Sequence, residues 1–389
     1  MHIYDYIVIG SGLTWLTIAK KINQETDNIL ILEAQDSTGG DNRPTTLNDQ
    51  IINNGLRFFP DTAPAQNAIK FLENLLDQPL VESSIENQIE TYESSGFKKF
   101  LGFGDNPPEF YEQLSYFLNS KELKLIQKPH EWTQQLATRL DSKILKKSIV
   151  TKFGFEELDS EEPKLTHVLV NGSKQIYAHN FIFTGQPKEL ALLVPDELLN
   201  ARLKAKLKKS ITWQGVCLDL FHSIPTDKTN MFLLNGTTND DIGPCIGRFL
   251  PAVEGVNNVG GSQISHQISQ WMSFVDSESA EDTENIGLIL KKMKRQIKRA
   301  FPEQADSIKK EKIFVTPVLS GTDLKLNANG TLPKVKNLWI ASSQLNSYQN
   351  LLGSLMQAQL TLAALGFVES LDPESITNPE SISDLEATV

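Results

Sequence analysis

Cysteine is scarce in this sequence: its 389 residues include two, Cys217 and Cys245. Two cysteines cannot build the disulfide framework that stabilises small secreted domains, and their separation matches no spacing typical of zinc ligands. We therefore expect no disulfide framework and no metal site. A reducing compartment follows, and cytoplasmic localisation is the expectation.

Long hydrophobic runs and an excess of positive charge are missing as well. No apolar run approaches the roughly 20 residues that span a bilayer, and no charged segment precedes an apolar one at the start of the chain, so we expect neither a membrane span nor a signal peptide. The net charge of −11 argues against nucleic acid and anionic membranes as partners. The apolar and charged fractions, 40% and 22%, are those of an ordinary globular protein. The length suits one large domain or two intertwined ones.

The most informative segment lies at the start of the chain. Residues 5–10 have the pattern of a buried strand, which runs into the turn Gly10-Ser11-Gly12 and then into a helical stretch. A second apolar run, residues 28–33, ends in the acid Glu33. The order strand, glycine turn, helix, strand and acid is typical of a dinucleotide-binding unit. In such a unit the helix N-terminus faces the phosphates and the acid accepts a ribose hydroxyl.

Position 15 departs from this pattern, because a third glycine is expected there and the sequence has tryptophan. A large side chain thus stands where the pattern needs none. Trp15 either points sideways and forms a wall of the phosphate site, or fills that site. Both placements of Trp15 leave the fold prediction unchanged. The binding of a dinucleotide depends on whether the indole leaves the phosphate site open.

Further motifs follow this unit, and others lie near the end of the chain. Gly39-Gly40 and Arg43 come after Glu33, residues 53–60 follow, residues 337–343 read as a strand, and residues 353–358 read as the start of a helix. With these motifs the sequence resembles the flavin-containing amine oxidase and phytoene desaturase superfamily over roughly half of the chain. The resemblance implies an α/β fold, in which a Rossmann-type FAD-binding domain with a parallel central sheet is combined with an interleaved α+β substrate domain. It also implies FAD as the cofactor.

The resemblance indicates where the flavin would lie. In that superfamily the segment matching residues 53–60 passes near the flavin, and the strand matching residues 337–343 ends in Gly-Asp, whose acid holds the ribityl chain. Here Ser342-Ser343 stand at that place, a second departure after Trp15. For Arg43, the alternative to a role beside the pyrophosphate or flavin is an ordinary surface position. The cofactor-binding residues implied are Gly10, Ser11, Gly12, Leu13, Thr14, Trp15, Glu33, Ala34, Gly39, Gly40, Arg43, Gly55, Leu56, Arg57, Val150, Ser343, Gly353, Ser354 and Leu355.

Hydrophobic periodicity predicts helices and strands between these motifs. The predicted helices are residues 66–76, 110–118, 132–145, 196–209 and 286–300. The predicted strands are residues 149–153, 167–170, 176–183, 212–220 and 231–234, with Asn171-Gly172 as a hairpin turn. The last helix is strongly amphipathic, and we expect its basic side to be a solvated surface rather than a site for an anionic partner.

The domains are expected to be discontinuous, because in the superfamily the chain crosses between them several times. Residues 1–60, 146–195 and 313–369 are assigned to the FAD domain, with the chain returning to it near Thr184-Gly185-Gln186-Pro187. Residues 61–145 and 196–312 are assigned to the substrate domain. Residues 370–389 are acidic and poor in apolar side chains, so we expect a disordered tail.

The sequence identifies no catalytic residue. Several amine oxidases place a lysine near the flavin N5, and the matching region here holds four, which are most simply solvated: Lys204, Lys206, Lys208 and Lys209. Other side chains are candidates for a substrate pocket, with ordinary core packing as the alternative for each: His222, His266, Trp213, Trp271, Phe221 and Phe249.

Three functions remain open at this point. The first is an FAD-dependent oxidoreductase that removes hydride from a C–N or C–C bond of a small or isoprenoid-like substrate. The second is a relative that keeps the fold without a bound flavin and serves as a binding or scaffolding protein with a protein partner; Trp15 and Ser343 favour it. The third is a non-redox flavoenzyme resembling UDP-galactopyranose mutase, which would need an arginine-rich pyrophosphate site. The predicted substrate domain has these arginines for such a site: Arg202, Arg248, Arg295 and Arg299.

Overall fold

The architecture is taken from a computed structural model. The structure describes residues 2–93, 96–105, 107–156, 158, 162–208, 213–234, 243–256, 263–317, 330–332, 334–346, 348 and 350–369. Four subjects of the sequence predictions lie outside the description: Lys209, the side chain of Lys208, residue 212 at the start of a predicted strand, and the acidic tail 370–389.

Helices and strands alternate in the first part of the chain, and longer strands dominate the rest. The helices are α1 (Leu13–Ile22), α2 (Ala63–Leu76), α3 (Tyr111–Ser115), α4 (Pro129–Arg139), α5 (Pro187–Leu193), α6 (Ala201–Lys208), α7 (Thr283–Ala300), α8 (Pro302–Asp306) and α9 (Asn350–Ala364). The strands are β1 (Ile3–Ile9), β2 (Ile29–Leu32), β3 (Pro44–Leu47), β4 (Gln50–Asn53), β5 (Val81–Glu86), β6 (Ile89–Glu93), β7 (Gly96–Lys99), β8 (Lys121–Leu125), β9 (Ile144–Leu145), β10 (Val150–Glu156), β11 (Lys164–Val170), β12 (Lys174–Phe183), β13 (Trp213–His222), β14 (Met231–Leu234), β15 (Cys245–Phe249), β16 (Val253–Val256), β17 (Gln263–Asp276), β18 (Ile308–Pro317), β19 (Thr331–Leu332) and β20 (Val335–Ile340).

The first sheet is built around β1, which pairs in parallel with β2 on one side and β12 on the other. Strand β9 extends the sheet beyond β2, and β20 pairs in parallel with the end of β12. Strands β10 and β11 add an antiparallel edge. Ile7, Val8 and Ile9 are all buried because helices and loops cover both faces. Val8 packs in the core that contains α1 and α9, and its two neighbours pack in the core that contains α5 and α6.

The second sheet has the strand order β18-β13-β17-β15-β14-β6-β7, and its pairs are antiparallel except for β14 with β6. One of its faces is covered by α7, whose apolar side buries Ile289, Met293 and Ile297. Asp282 caps this helix by accepting a hydrogen bond from the backbone N–H of Glu284 at 2.8 Å. The predicted amphipathic helix is thereby confirmed.

The two sheets share one hydrophobic core. The cluster that contains Val8 and Leu16 of the first sheet and its helix also contains Ile246 and Met272 of the second sheet. The predicted α/β fold class, with a parallel Rossmann-type sheet and a second α+β region, is confirmed. None of the described helices is long and apolar enough to cross a membrane.

Most predicted elements are present, with shifted ends. The hairpin at Asn171-Gly172 joins β11 to β12 as predicted. The predicted helix 132–145 is wrong at its end, because α4 stops at Arg139 and residues 144–145 pair with β2 as β9. Pairing with a strand more than a hundred positions away decides this segment, and helical periodicity cannot reveal it.

The boundaries between the two sheets also differ in detail from the sequence-based division. Strand β9 belongs to the first sheet, although residues up to 145 were assigned to the substrate domain. Strand β18, at residues 308–317, pairs with β13 along its whole length and therefore belongs to the second sheet, although the FAD domain was predicted to resume at residue 313. The division into two functional domains itself stays a prediction.

Candidate functional site

The glycine turn between β1 and α1 forms the base of the site. Gly10 has a φ of +107°, which favours glycine, and its N–H donates to the carbonyl of Leu32 at 2.7 Å. Gly12 precedes α1, and no described side chain caps the N-terminus of that helix. A Cβ at Gly12 would meet open space. The turn therefore leaves free N–H groups and room for a ligand at the positive end of the helix.

The segment Gly39-Gly40 packs directly on this turn. The N–H of Gly39 donates to the carbonyl of Ser11 at 2.8 Å, and a Cβ at Gly40 would lie 3.1 Å from the Cα of Gly12. Both glycines have positive φ angles, +110° and +54°. The two motifs that the sequence analysis paired are thus in contact.

Trp15 lies against Gly10. A Cβ at position 10 would collide with the outer atoms of the indole six-membered ring, and the side chain of Trp15 is 5% exposed. The indole also lines the cavity described below. Trp15 therefore forms a wall beside the turn, using space that the absence of a side chain at Gly10 provides.

Glu33 lies at the end of β2, where a dinucleotide-binding unit has its ribose acceptor. Its Oε2 accepts the hydroxyl hydrogen bond of Ser11 at 2.5 Å, and its Oε1 accepts the N–H of Gln35 at 2.6 Å. The side chain is 7% exposed and does not line the cavity. Each carboxylate oxygen of Glu33 thus already has a protein donor.

A cavity of about 250 Å³ lies between the N-termini of α1 and α9 and the second sheet. Eight of the predicted cofactor residues line it: Gly12, Leu13, Thr14, Trp15, Gly40, Arg57, Ser343 and Ser354. Seven further lining residues were not among them: Asp41, Asn42, Thr184, Met272, Thr316, Tyr348 and Asn350. Met272 and Thr316 come from β17 and β18, so the second sheet supplies one wall.

Thr184 stands at the end of β12, in the segment that the sequence analysis read as the return to the FAD domain. Its hydroxyl is buried and has no hydrogen-bond partner within the described part of the chain. A buried hydroxyl without a hydrogen-bond partner is unfavourable unless water or a ligand forms that hydrogen bond. A polar ligand in the cavity would satisfy this requirement.

Arg57 is the cationic side chain among the lining residues, and it is 7% exposed. Its Nε donates to Asn42 Oδ1 at 3.1 Å, while Nη1 and Nη2 donate to the carbonyls of Leu56 at 3.2 Å and Asp41 at 2.6 Å. Its own carbonyl accepts Nη2 of Arg248 at 2.6 Å. Arg248 in turn binds both carboxylate oxygens of Glu122, at 2.8 Å and 2.9 Å.

The remaining predicted cofactor residues lie outside the cavity lining. Arg43 folds back on its own loop, where its Nε donates to the carbonyl of Gly40 at 3.0 Å. Ala34 is exposed, and Val150 starts β10 at the edge of the first sheet. Four others pack against protein atoms near the cavity: Gly55, Leu56, Gly353 and Leu355.

The lysine and histidine candidates contact other parts of the protein. The ring nitrogens of His222 contact the carbonyl of Gln304 at 2.9 Å and Ser269 Oγ at 2.7 Å. His266 contacts Gln50 and stacks on Phe221. Lys204 pairs with Asp196 on the far side of the first sheet. None of the candidate residues with described side chains lines the cavity; these are Lys204, Lys206, His222, His266, Trp213, Trp271, Phe221 and Phe249.

A polar row behind the cavity was missed by the sequence analysis. Asp219 of β13 pairs in register with Gln270 of β17 and Lys312 of β18. Asp219 is fully buried; its Oδ1 accepts Gln270 Nε2 at 3.1 Å, and its Oδ2 has no partner among the described residues. Burial raises the pKa of Asp219 to about 7, although Gln270 and the charges of Lys312 and Arg57 act in the opposite direction.

FAD is the cofactor that the sequence resemblance implies, and the cavity can be tested against it. The open space at Gly12, the uncapped N-terminus of α1 and the unpartnered hydroxyl of Thr184 suit a phosphate-bearing group. The volume of about 250 Å³ lies just below the roughly 300–1,000 Å³ of pockets for drug-sized ligands. The residues present therefore fit the diphosphate part of FAD, and the adenosine end requires the contact between Ser11 and Glu33 to rearrange.

Comparison with protein families supports the Rossmann-type assignment of the N-terminal segment. Residues 8–75 match the model of an NAD(P)-binding Rossmann-like domain. The flavin-containing amine oxidase A of Equus caballus is 29% identical over 101 residues. That stretch is 26% of this chain and 19% of the horse enzyme, so the match covers about a fifth of its length.

Solved structures share the architecture over nearly the whole chain. A putrescine oxidase bound to putrescine superposes with a TM-score of 0.62 at 12% identity, covering 93% of this chain and 98% of its own. An oxidoreductase from Methanosarcina mazei gives 0.64 at 13% identity, with 91% and 98% covered. Cyclohexylamine oxidase from Brevibacterium oxydans gives 0.60 at 10% identity, with 94% and 98% covered. The predicted resemblance to flavin-containing amine oxidases is confirmed at the level of the fold.

Proposed function

We propose that this protein is an FAD-dependent oxidoreductase of the amine-oxidase type, which removes hydride from a C–N or C–C bond of a small substrate. The observation that carries the proposal is the cavity itself. It lies at the N-termini of α1 and α9, between a Rossmann-type sheet and a second sheet, in a fold shared with amine oxidases. Helix N-termini favour anionic groups, and the second sheet supplies a wall for the substrate.

In this proposal the diphosphate is held by the backbone at the start of α1, at Leu13 and Thr14, with Gly12 and Gly40 giving room for its approach. Thr184 and Ser354 offer hydroxyl groups on the same cavity. Glu33 accepts a ribose hydroxyl once the hydroxyl of Ser11 turns away. When bound, FAD supplies the hydride acceptor, and the protein supplies position and electrostatics.

A second candidate is favoured by two of the contacts described above. The indole of Trp15 fits closely against Gly10, and Ser11 already occupies one oxygen of Glu33. Both contacts suit a relative that keeps the fold without a bound flavin and acts as a binding or scaffolding protein. The mutase-like alternative has less support, because its arginines lie on three separate elements: Arg202 on α6, Arg248 on β15, and Arg295 and Arg299 on α7.

Two glycines provide a matched test of the proposal. A Cβ at Gly12 would project into the cavity and a Cβ at Gly287 of α7 into open space, and neither would meet a protein atom within 4 Å. Both Gly12→Ala and Gly287→Ala should therefore fold. Wild type and Gly287→Ala should acquire the visible flavin absorbance and a higher melting temperature with FAD, because a ligand of the native state stabilises by mass action. Gly12→Ala should bind FAD at least tenfold more weakly.

The same experiment separates the two candidates. If FAD changes neither the absorbance nor the melting temperature of the wild type, the oxidoreductase proposal fails and the flavin-free relative replaces it. If Gly12→Ala binds FAD as tightly as the wild type, FAD binds elsewhere than at the start of α1. NAD serves as a ligand control, since it shares the diphosphate and adenosine but lacks the flavin.

A further inference from the structure

Arg57 has unused hydrogen-bonding capacity. A guanidinium group carries five N–H bonds, and three of those of Arg57 donate to Asn42, Leu56 and Asp41. All three acceptors are neutral amide oxygens. Two N–H bonds therefore remain on a buried cation that lines the cavity.

The positive charge of Arg57 has acids near it but none in direct contact among the described residues. No ion pair within 4.0 Å joins Arg57 to an acid in the part of the chain that the structure describes. Asp41 also lines the cavity and is the acid whose charge acts most on Arg57, while burial raises the pKa of the Asp41 carboxyl itself. Asp219 interacts with Arg57 at longer range, and its raised pKa, about 7, leaves it partly protonated near neutral pH. A buried cation of this kind is stabilised by an anion that approaches it.

Arg57 is also held in a fixed position. Its carbonyl accepts a hydrogen bond from Arg248, which is bound by both oxygens of Glu122. Its side chain is fixed by the three contacts to neutral oxygens, and its charge interacts with Asp41 and with Asp219 of β13. The guanidinium thus stands at the second-sheet wall of the cavity, ready to bind without rearrangement.

We infer that Arg57 makes this a site for substrates that carry a carboxylate, which its two free N–H bonds bind, and that it disfavours simple cationic amines. The inference rests on the proposed function, because it takes the second-sheet side of the cavity, where Arg57 lies, to be the substrate site beside the cofactor. A planar guanidinium matches the two oxygens of a carboxylate, whereas an ammonium group would face a like charge in a poorly solvated space. The substrate class would then be amino acids or other carboxylates, rather than plain amines.

Benzoate and benzylamine test the inference, because each carries one aromatic ring and they differ in charge. Binding to the FAD-treated wild-type protein is measured by isothermal titration calorimetry. Benzoate should bind at least tenfold more tightly than benzylamine. In Arg57→Gln the affinity for benzoate should fall roughly tenfold to a hundredfold, as expected for loss of a hydrogen bond to a charged group. The affinity for FAD should change less than threefold.

Arg139→Gln is the matched control. Arg139 also donates to two backbone carbonyls, of Leu75 and Leu76, but it does not line the cavity. Its variant should bind benzoate as the wild type does. If Arg57→Gln does not give a folded circular dichroism spectrum, Arg57→Lys decides instead, since it keeps the charge and should keep the preference for benzoate with reduced affinity.

Three results would overturn the inference: equal affinity of wild type for benzoate and benzylamine, equal affinity of wild type and Arg57→Gln for benzoate, or loss of FAD binding in Arg57→Gln while benzoate binding is unchanged. The last would mean that Arg57 holds a phosphate of the cofactor. Failure of the proposed function is seen separately, because FAD would then change neither the absorbance nor the melting temperature of the wild-type protein. Benzoate binding through Arg57 without FAD binding would then mark an anion site in a flavin-free protein and overturn the substrate assignment.

Discussion

The indole ring of Trp15 occupies the space in which a Cβ of residue 10 would lie, so Gly10 and Trp15 form a complementary pair within one turn. A dinucleotide-binding turn uses a small residue at the third position to bring helix and strand close together. Here a large residue at that position is accommodated because position 10 carries no side chain. The altered fingerprint is therefore locally consistent, and the fold persists without its third glycine.

A double-mutant cycle tests this complementarity. Gly10→Ala should be strongly destabilising in the wild type, because the added methyl group meets the indole and the φ of +107° is strained for alanine. In the Trp15→Gly background the collision is absent, so Gly10→Ala should cost about 1–2 kcal/mol from the backbone alone. The measured quantity is the free energy of unfolding in urea for the four proteins. Additive effects of the two changes would show that the residues do not interact.

Substitutions of Ser11 and Glu33 should have different effects on the affinity for FAD. Glu33→Ala removes an acceptor for the ribose, so the FAD dissociation constant should rise about tenfold or more. Ser11→Ala removes the hydroxyl that occupies Glu33 Oε2, so FAD should bind as well as in the wild type or more tightly. Titration of FAD followed by flavin fluorescence measures both. An unchanged dissociation constant in Glu33→Ala would mean that the dinucleotide does not lie across this turn.

Asp219 predicts a pH dependence of stability. Its pKa is raised from 3.8 to about 7 by burial, so the folded state binds a proton that the unfolded state has released between these values. The contribution of Asp219 to the free energy of unfolding should be largest at low pH and should fall as pH rises from about 4 to about 7, by a few kcal/mol at most. Asp219→Asn resembles the protonated acid and should remove this part of the slope.

Urea unfolding of wild type and Asp219→Asn between about pH 5 and pH 8 checks this prediction. The exposed Asp227 provides the control, and Asp227→Asn should keep the wild-type slope. A slope that survives in Asp219→Asn would show that other groups determine the pH dependence.

The elements closest to the glycine turn can be predicted from sequence, because the patterns that indicate them lie within short segments of the chain. The strand that ends at Gly10 and the acid at Glu33 follow the spacing of a dinucleotide-binding unit. The pair Gly39-Gly40 is implied by the family resemblance and lies within forty residues of the chain start. The structure brings these motifs into contact. Their role in holding a cofactor stays a prediction.

Strand β17 shows why the rest of the site could not be predicted. It buries polar side chains on both faces, including Gln267, Ser269, Gln270 and Ser273, so the alternation of apolar and polar residues that indicates a strand is absent. The row of Asp219, Gln270 and Lys312 depends on the register of three strands that are far apart in sequence. Arg57 was expected at the cofactor, but its burial and its unused donors are properties of the folded chain.

The pairing of β1 with β12 has a consequence for synthesis of the protein. The first strand gains its parallel neighbour on that side when residues 174–183 have been made, and α1 gains its partner α9 when the ribosome has passed residue 364. Domains fold as units during translation, and the glycine turn belongs to a unit whose last helix is made near the end. The side of β1 that carries Val8 therefore stays without its full cover until residues 350–364 have been made.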